Sequence, residues 1–209
     1  MAEDLAAREV IEQAKGRGAV YFLLSRAFSR PDASFHKLGP AVAQLMTALE
    51  VPSERLGSDL DLPSLEFEYN RLFVGPSRLP CPPYESVHRK DRPEAELGLV
   101  MGPSTRDVLR CYREAGFVVS PGFKDLPDHL QVELEFMHRL CMREMEQPES
   151  AWTKRREEFA ELHLRPWIPG FAECVESRTN SFFYRSAARL LKNFVERDAT
   201  PESQRDPGP

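Results

Sequence analysis

Pro76, Pro80, Pro82 and Pro83 fall within one short stretch, and together they constrain this chain more than any other feature. Each proline fixes its own φ, lacks an N–H and pushes the residue before it out of the helical region. Neither a helix nor a central strand can run through them, so a stiff loop must interrupt whatever surrounds it. In EFEYNRLFVGPSRLPCPPYESV, residues 66–87, that loop separates an aromatic and acidic helix end from Tyr84, Glu85 and Ser86. A stiff loop carrying an aromatic ring, a carboxylate and open backbone carbonyls suits gripping a peptide better than making bonds.

The rest of the chain reads as helix. Val10, Ala14, Tyr21, Leu24 and Phe28 recur at helical spacing in a long first helix, which Gly16 and Gly18 weaken and could kink. Pro31 and Asp32 end it, and a short helix is expected around Pro40 to Leu49. Asp61 caps the next helix, with Pro63 in its first turn and Gly75 just past its end. Ser104 and Asp107 make a capping-box-like start for a helix that stops at Gly116. A strong helix is expected from about Asp128 to Met145, another opens at Ser150, and Pro166 and Pro169 bracket a turn around Trp167. Asn180 or Ser181 caps a last helix through Val195. Strand alternation is nowhere sustained, and Gly116 to Ser120 is the only weak candidate. The expected fold is all-α, a single-domain bundle of roughly eight to ten helices over residues 1–197. A polar, disordered tail is expected over 198–209.

Composition narrows the function. The net charge of −5 is spread along 209 residues without a basic arm, which argues against nucleic acid as a partner. The opening MAEDLAAREVIEQAKGRG lacks the apolar core of a secretion signal, and the longest apolar run, Ala19 to Leu24, is far short of the ~20 residues of a membrane helix. A cytoplasmic location without stable membrane insertion is expected. Cys81, Cys111, Cys141 and Cys174 form no C-x-x-C pair, and the five histidines lack the spacing of helix-borne metal sites, so no metal is expected. No phosphate-cradling glycine motif is present, and no cofactor is expected.

Candidate functional residues cluster around the loop. Asp128 and His129 could be half of a catalytic dyad, a structural helix start, or a contact for an arginine or for peptide carbonyls. Adjacent residues on a helix do not face each other and no activated nucleophile stands nearby, so no catalytic residue is assigned. Glu85 lies in the restrained loop and is the better candidate for a guanidinium, while Glu66 and Glu68 read as a solvated helix face and Asp91 as a further acidic neighbour. Tyr69, Leu72 and Phe73 follow the periodicity of a core stripe, yet their place before the loop allows one to floor an apolar groove. Trp167 reads as a packed turn anchor.

EYNRLFVGPSRLPCPPYESV, PDHLQVELEFM, HLRPWIPGF and FFYRSAARLL, in that order, resemble the TorD/DmsD family of redox-enzyme maturation chaperones, related to the NarJ-type assembly factors. The resemblance covers most of residues 10–197. It implies an all-helical cytoplasmic chaperone that binds the twin-arginine signal peptide and apo catalytic subunit of a molybdopterin-containing oxidoreductase of the dimethyl sulfoxide reductase type. It also implies assistance to molybdenum cofactor insertion before export, and monomers or domain-swapped dimers. Carried over by position, the peptide-binding candidates are Pro82, Pro83, Tyr84 and Glu85, faced by Asp128 and His129. Some members have Trp where this chain has Ser77 and Tyr84.

The expected mechanism is reversible binding. Glu85 and Asp128 would meet a leader's arginines, and an exposed floor near Leu72 and Phe73 would meet its apolar stretch. Two rivals are a stoichiometric structural subunit of a respiratory oxidoreductase and a small helical hydrolase using His129.

Overall fold

The computed structural model describes residues 2–49, 51, 61–75, 79–89, 93, 101–148 and 151–198. Pro76, Ser77, Asp91, Ser150 and the segment beyond 198 lie outside them. Among the described residues there are nine α-helices and no strand: α1 Ala2–Ala27, α2 Phe35–Ala48, α3 Leu62–Tyr69, α4 Glu85–His88, α5 Pro103–Glu114, α6 Leu130–Glu146, α7 Trp152–Phe159, α8 Ile168–Arg178 and α9 Phe182–Asp198. Two π-helical segments, Asn70–Val74 and Ala160–Leu164, continue α3 and α7.

The long pair α1 and α6 forms the spine, with α9 and α8 packed together beside it and α7 against α6. The glycines expected to weaken α1 do not break it. Gly18 instead sits where α1 meets α6: a Cβ there would come within 3.1 Å of Cys141 Cβ, and its carbonyl lies 2.9 Å from His138 Nδ1. A missing side chain thus permits close packing, which offsets the roughly 1 kcal/mol that glycine costs in a helix interior.

α2 starts five residues before the expected Pro40 and carries that proline inside. Phe35, Leu38, Val42 and Met46 explain this, because they form one buried stripe that pins the helix despite the missing hydrogen bond. Asp61 caps α3 as expected, accepting from Ser64 N at 3.1 Å. The capping box expected for α5 is absent: Gly102 is the N-cap, Pro103 takes the first turn, and Ser104 is buried. Gly116 closes the end of that helix with φ +66°. At the last helix Ser181 Oγ accepts from Tyr184 N at 3.4 Å.

Phe28, Phe73, Phe171 and Tyr184 meet at ring separations of 5.6–6.1 Å in the centre of the core. Glu68, read as solvated, is buried: its carboxylate binds Arg71, the Thr179 hydroxyl and Asn180 N, joining α3 to the turn before α9. The Arg71 guanidinium, outweighing the opposing effect of burial, holds that carboxyl down at about 2. Glu66 does face solvent, paired with Arg30 at 2.8 Å. Asp198, expected to begin a disordered tail, is instead the buried last residue of α9.

Candidate functional site

The two segments singled out by their sequence lie against each other. Residues 79–88 cross the start of α6 as a strap. Leu130 N donates to Pro83 O at 2.9 Å, Glu85 N donates to Asp128 O at 3.0 Å, and Tyr84 and His129 form an isolated antiparallel bridge. Asp128 adds a side-chain link by accepting from Ser86 N at 3.0 Å. His129 is the N-cap of α6, its Nδ1 accepting from Gln131 N. That bond requires an unprotonated Nδ1, and burial lowers the imidazole to about 4 despite the nearby charges of Asp125 and Asp128. His129 is therefore neutral at pH 7 and serves the helix start.

The carbonyls of the described strap prolines are not open. Pro80 O accepts from Cys174 Sγ, Pro82 O lies 2.7 Å from His88 Nε2, and Pro83 O is taken by Leu130. A segment short of N–H donors cannot pair with itself, so its acceptors recruit neighbours as the strap packs down. The expected apolar floor is likewise occupied: Leu72 is 0% and Phe73 3% exposed, both in the core.

Glu85 and Asp128, expected to receive a leader's arginines, are each 0% exposed. Glu85 Oε1 accepts from Arg89, one turn away in sequence, and Oε2 lies 3.0 Å from His163 Nδ1. Arg89 also donates to Leu162 O at 2.8 Å. Glu133 joins this cluster from α6, with Oε2 accepting from Trp167 Nε1 at 3.2 Å. Trp167 is thus the buried anchor expected of it. Burial, then the negative charges of Glu85 and Asp128, push the Glu133 carboxyl well above the usual range. His163 moves the other way. Burial opposes its charge, but hydrogen bonds to Cys111 and Glu85 outweigh that and raise it to about 9. Ser86 Oγ, Asp128 Oδ1 and Glu133 Oε1 are buried without a hydrogen-bond partner.

What the strap leaves on the surface is its outer edge. Tyr84 is half-buried, and its hydroxyl donates to the exposed Asp125 at 2.9 Å. Burial, then Asp125, raises that phenol above its ordinary range. Phe123 packs edge-on against His129 at 5.5 Å. It also lines a cavity of about 300 Å³ shared with Val119, Gln131 and Glu135. Pro82 is half-buried and Pro83 buried. Sequence reasoning brought Pro83, Tyr84, Asp128 and His129 together correctly but missed Asp125, Phe123 and His163. Asp125 and Phe123 lie in the Gly- and Pro-rich loop that precedes α6, where a long loop was itself a signal. His163 lies within HLRPWIPGF, but its partners are 52 and 78 residues away.

Residues 36–173, more than half of the chain, match the family described as nitrate reductase delta subunit. The chain belongs to this family. The chain is also similar to the chaperone protein TorD of Vibrio parahaemolyticus serotype O3:K6, 30% identical over 78% of this chain and 74% of that protein. The perchlorate reductase assembly chaperone protein of Dechloromonas aromatica is 28% identical, with 92% of each chain covered. Among solved structures, a protein from Archaeoglobus fulgidus assigned to redox enzyme maturation matches with a TM-score of 0.56 and 28% identity, covering 86% of this chain and 93% of that one. These names describe chaperone, assembly and maturation work rather than a reaction. This delta-subunit family member is a redox-enzyme maturation chaperone. No described helix is long and apolar enough to cross a membrane.

Proposed function

We propose that this chaperone acts in the cytoplasm on a molybdenum-containing oxidoreductase, binding its twin-arginine leader and apo catalytic subunit until the cofactor is inserted. The observation that carries this reading is the strap's outer edge. Tyr84 and Asp125 stand at the surface on a corner fastened by backbone and side-chain hydrogen bonds, beside a cavity that Phe123 and Glu135 line. A carboxylate has about four lone-pair sites, so Asp125 can hold Tyr84 and still accept from a guanidinium. Glu135 offers a second carboxylate, and Phe123 an apolar wall for the stretch that follows the arginines. Leu72, Phe73, Pro83, Glu85, Asp128 and His129 then act as the scaffold beneath, with Pro82 and Tyr84 at its edge.

Binding is reversible and breaks no bond. Ordering a disordered leader costs roughly 2–5 kcal/mol of the gross interaction, which tempers affinity and allows release. The perchlorate reductase in one relative's name and the redox enzyme in the name of the Archaeoglobus fulgidus protein support an oxidoreductase as client.

The family description favours a second reading, a stoichiometric subunit. Purification of the client separates the two. A maturation chaperone is retained by the leader-bearing apo precursor and missing from the mature, cofactor-loaded enzyme. Equal amounts in the mature enzyme would establish a subunit instead.

A further inference from the structure

Glu85 looks two ways, and its second side leads out of the strap. Its Oε2 lies 3.0 Å from His163 Nδ1, and the Nε2 of the same ring lies 3.7 Å from Cys111 Sγ. Glu85 is paired with Arg89 and accepts from the ring, so Nδ1–H points to the carboxylate and Nε2 is turned toward the thiol. His163 is held flat by Phe159, stacked at 4.7 Å and 26°. Thiol, imidazole and carboxylate thus stand in series, the arrangement in which a base beside a nucleophile is itself oriented by a third group.

The thiol is reachable. Cys111 and His163 both line a cavity of about 230 Å³ between α5 and α7, walled by Phe136 and Phe159. The charged groups around it are Arg110 and Glu114 from α5, Arg155 and Glu158 from α7, and the His163 imidazolium, with Glu85 and Arg89 behind the ring. Arg110 and Arg155 hold their partners Asp107 and Glu114 only at 3.5 and 3.8 Å, in exposed pairs of the kind that contribute little. Both guanidiniums can therefore turn to an incoming carboxylate.

The other three cysteines lack this setting. Cys81 and Cys141 are buried, and burial raises both thiols. Cys174 donates to Pro80 O, a carbonyl that cannot take its proton.

We propose that Cys111 is a nucleophilic thiol that exchanges with small anionic disulfides of the glutathione type, forming a mixed disulfide in this cavity. The proton of the Cys111–His163 pair rests on Nε2 of the imidazolium as Sγ attacks one sulfur of the disulfide. The new S–S bond forms as the old one breaks, and the departing thiolate takes the proton back from His163. One protein thiol is oxidised to a mixed disulfide while one disulfide sulfur is reduced to a thiol. Glu85 is a positioning residue for the imidazole.

The test is native labelling of the full chain with limiting glutathione disulfide, followed by peptide mapping. The adduct is expected on the peptide carrying Cys111 ahead of that carrying Cys174. Labelling of Cys174 first, or of both at one rate, would overturn the proposal. His163→Gln, checked for folding by circular dichroism, should slow the Cys111 reaction about 100-fold, and an unchanged rate would refute the role of the ring. Should that variant fail to fold, the peptide map of the unmodified sequence still decides. Added imidazole should restore part of the rate to His163→Gly and none to Cys111→Ser. Bis(2-hydroxyethyl) disulfide, which is uncharged, should react more slowly than glutathione disulfide, and equal rates would remove the guanidiniums from the account.

Discussion

Two clusters of buried charge among the described residues are built differently. In the first, between α1, α6, α7 and α9, Arg17 and Arg156 face Glu144 and Asp198. Arg156 lies 3.0 Å from Glu144 and 3.3 Å from Asp198, while Arg17 lies 2.8 Å from Asp198 and 3.8 Å from Glu144. Tyr21 adds a hydroxyl to Asp198. Two cations meet two anions, and of their buried oxygens Glu144 Oε2 lacks a hydrogen-bond partner but lies 3.8 Å from Arg17. The second cluster, under the strap, gathers three carboxyl groups, Glu85, Asp128 and Glu133, around Arg89 and His163, and leaves several buried polar atoms without a hydrogen-bond partner. Protonation of His163, and burial that raises the Glu133 carboxyl, only reduce its excess of negative charge. The balanced cluster locks four helices together. The unbalanced one lies directly beneath the surface proposed to meet a client, where it supports the corner.

Breaking the balanced cluster should have the largest effect. Arg156→Met removes the cation shared by Glu144 and Asp198, and a broken buried pair costs about 3–5 kcal/mol, read as a shift of the urea midpoint. A loss below ~1 kcal/mol, typical of exposed pairs, would mean that the cluster is hydrated. Asp128→Ala comes next. It leaves Ser86 N without its acceptor, which costs about 1–3 kcal/mol. It should also speed amide exchange at residues 84–86, whereas unchanged exchange would mean the backbone bonds hold the strap by themselves. Glu133→Gln should change stability least, within about 1 kcal/mol, because burial beside Glu85 and Asp128 already favours the uncharged carboxyl that the amide mimics.

The pH response sharpens the same contrast. His163 is raised to about 9 in the fold, so its stabilisation is full below the ordinary histidine value near 6.5 and is lost as pH climbs through 9. His129 is lowered to about 4, so its contribution is present above about 6.5 and is lost as pH falls toward 4. Comparing variants with the parent chain by thermal melts across pH should therefore flatten the alkaline limb in His163→Gln and the acid limb in His129→Asn, which retains a capping side chain. Parallel curves for variant and parent would contradict these assignments.

Much of this was legible in the sequence, for identifiable reasons. Helical spacing predicted the spine, and the cap at Asp61 and the stop at Gly116 were local signals that tertiary packing left in place. The pairing of the strap with Asp128 and His129 came through resemblance, since nothing in a single sequence says which distant loop a proline segment crosses. The burial of Glu68, Glu85 and Asp128 was not legible. A carboxylate reads as solvent-facing until its partners are known, and those partners are Arg71, Thr179, His163 and the Ser86 amide. Gly18 misled for the same reason, because its value lies in a contact with Cys141, 123 positions further along.

The central claim is that a cationic leader docks on the outer edge of a rigid strap and not on the carboxylates beneath it. Calorimetry with a twin-arginine leader peptide tests this most directly. Binding should be saturable, weakened at least about tenfold by Asp125→Ala without loss of thermal stability, and abolished when both arginines of the peptide become alanine. Full affinity in Asp125→Ala, or equal affinity for the alanine peptide, would contradict it.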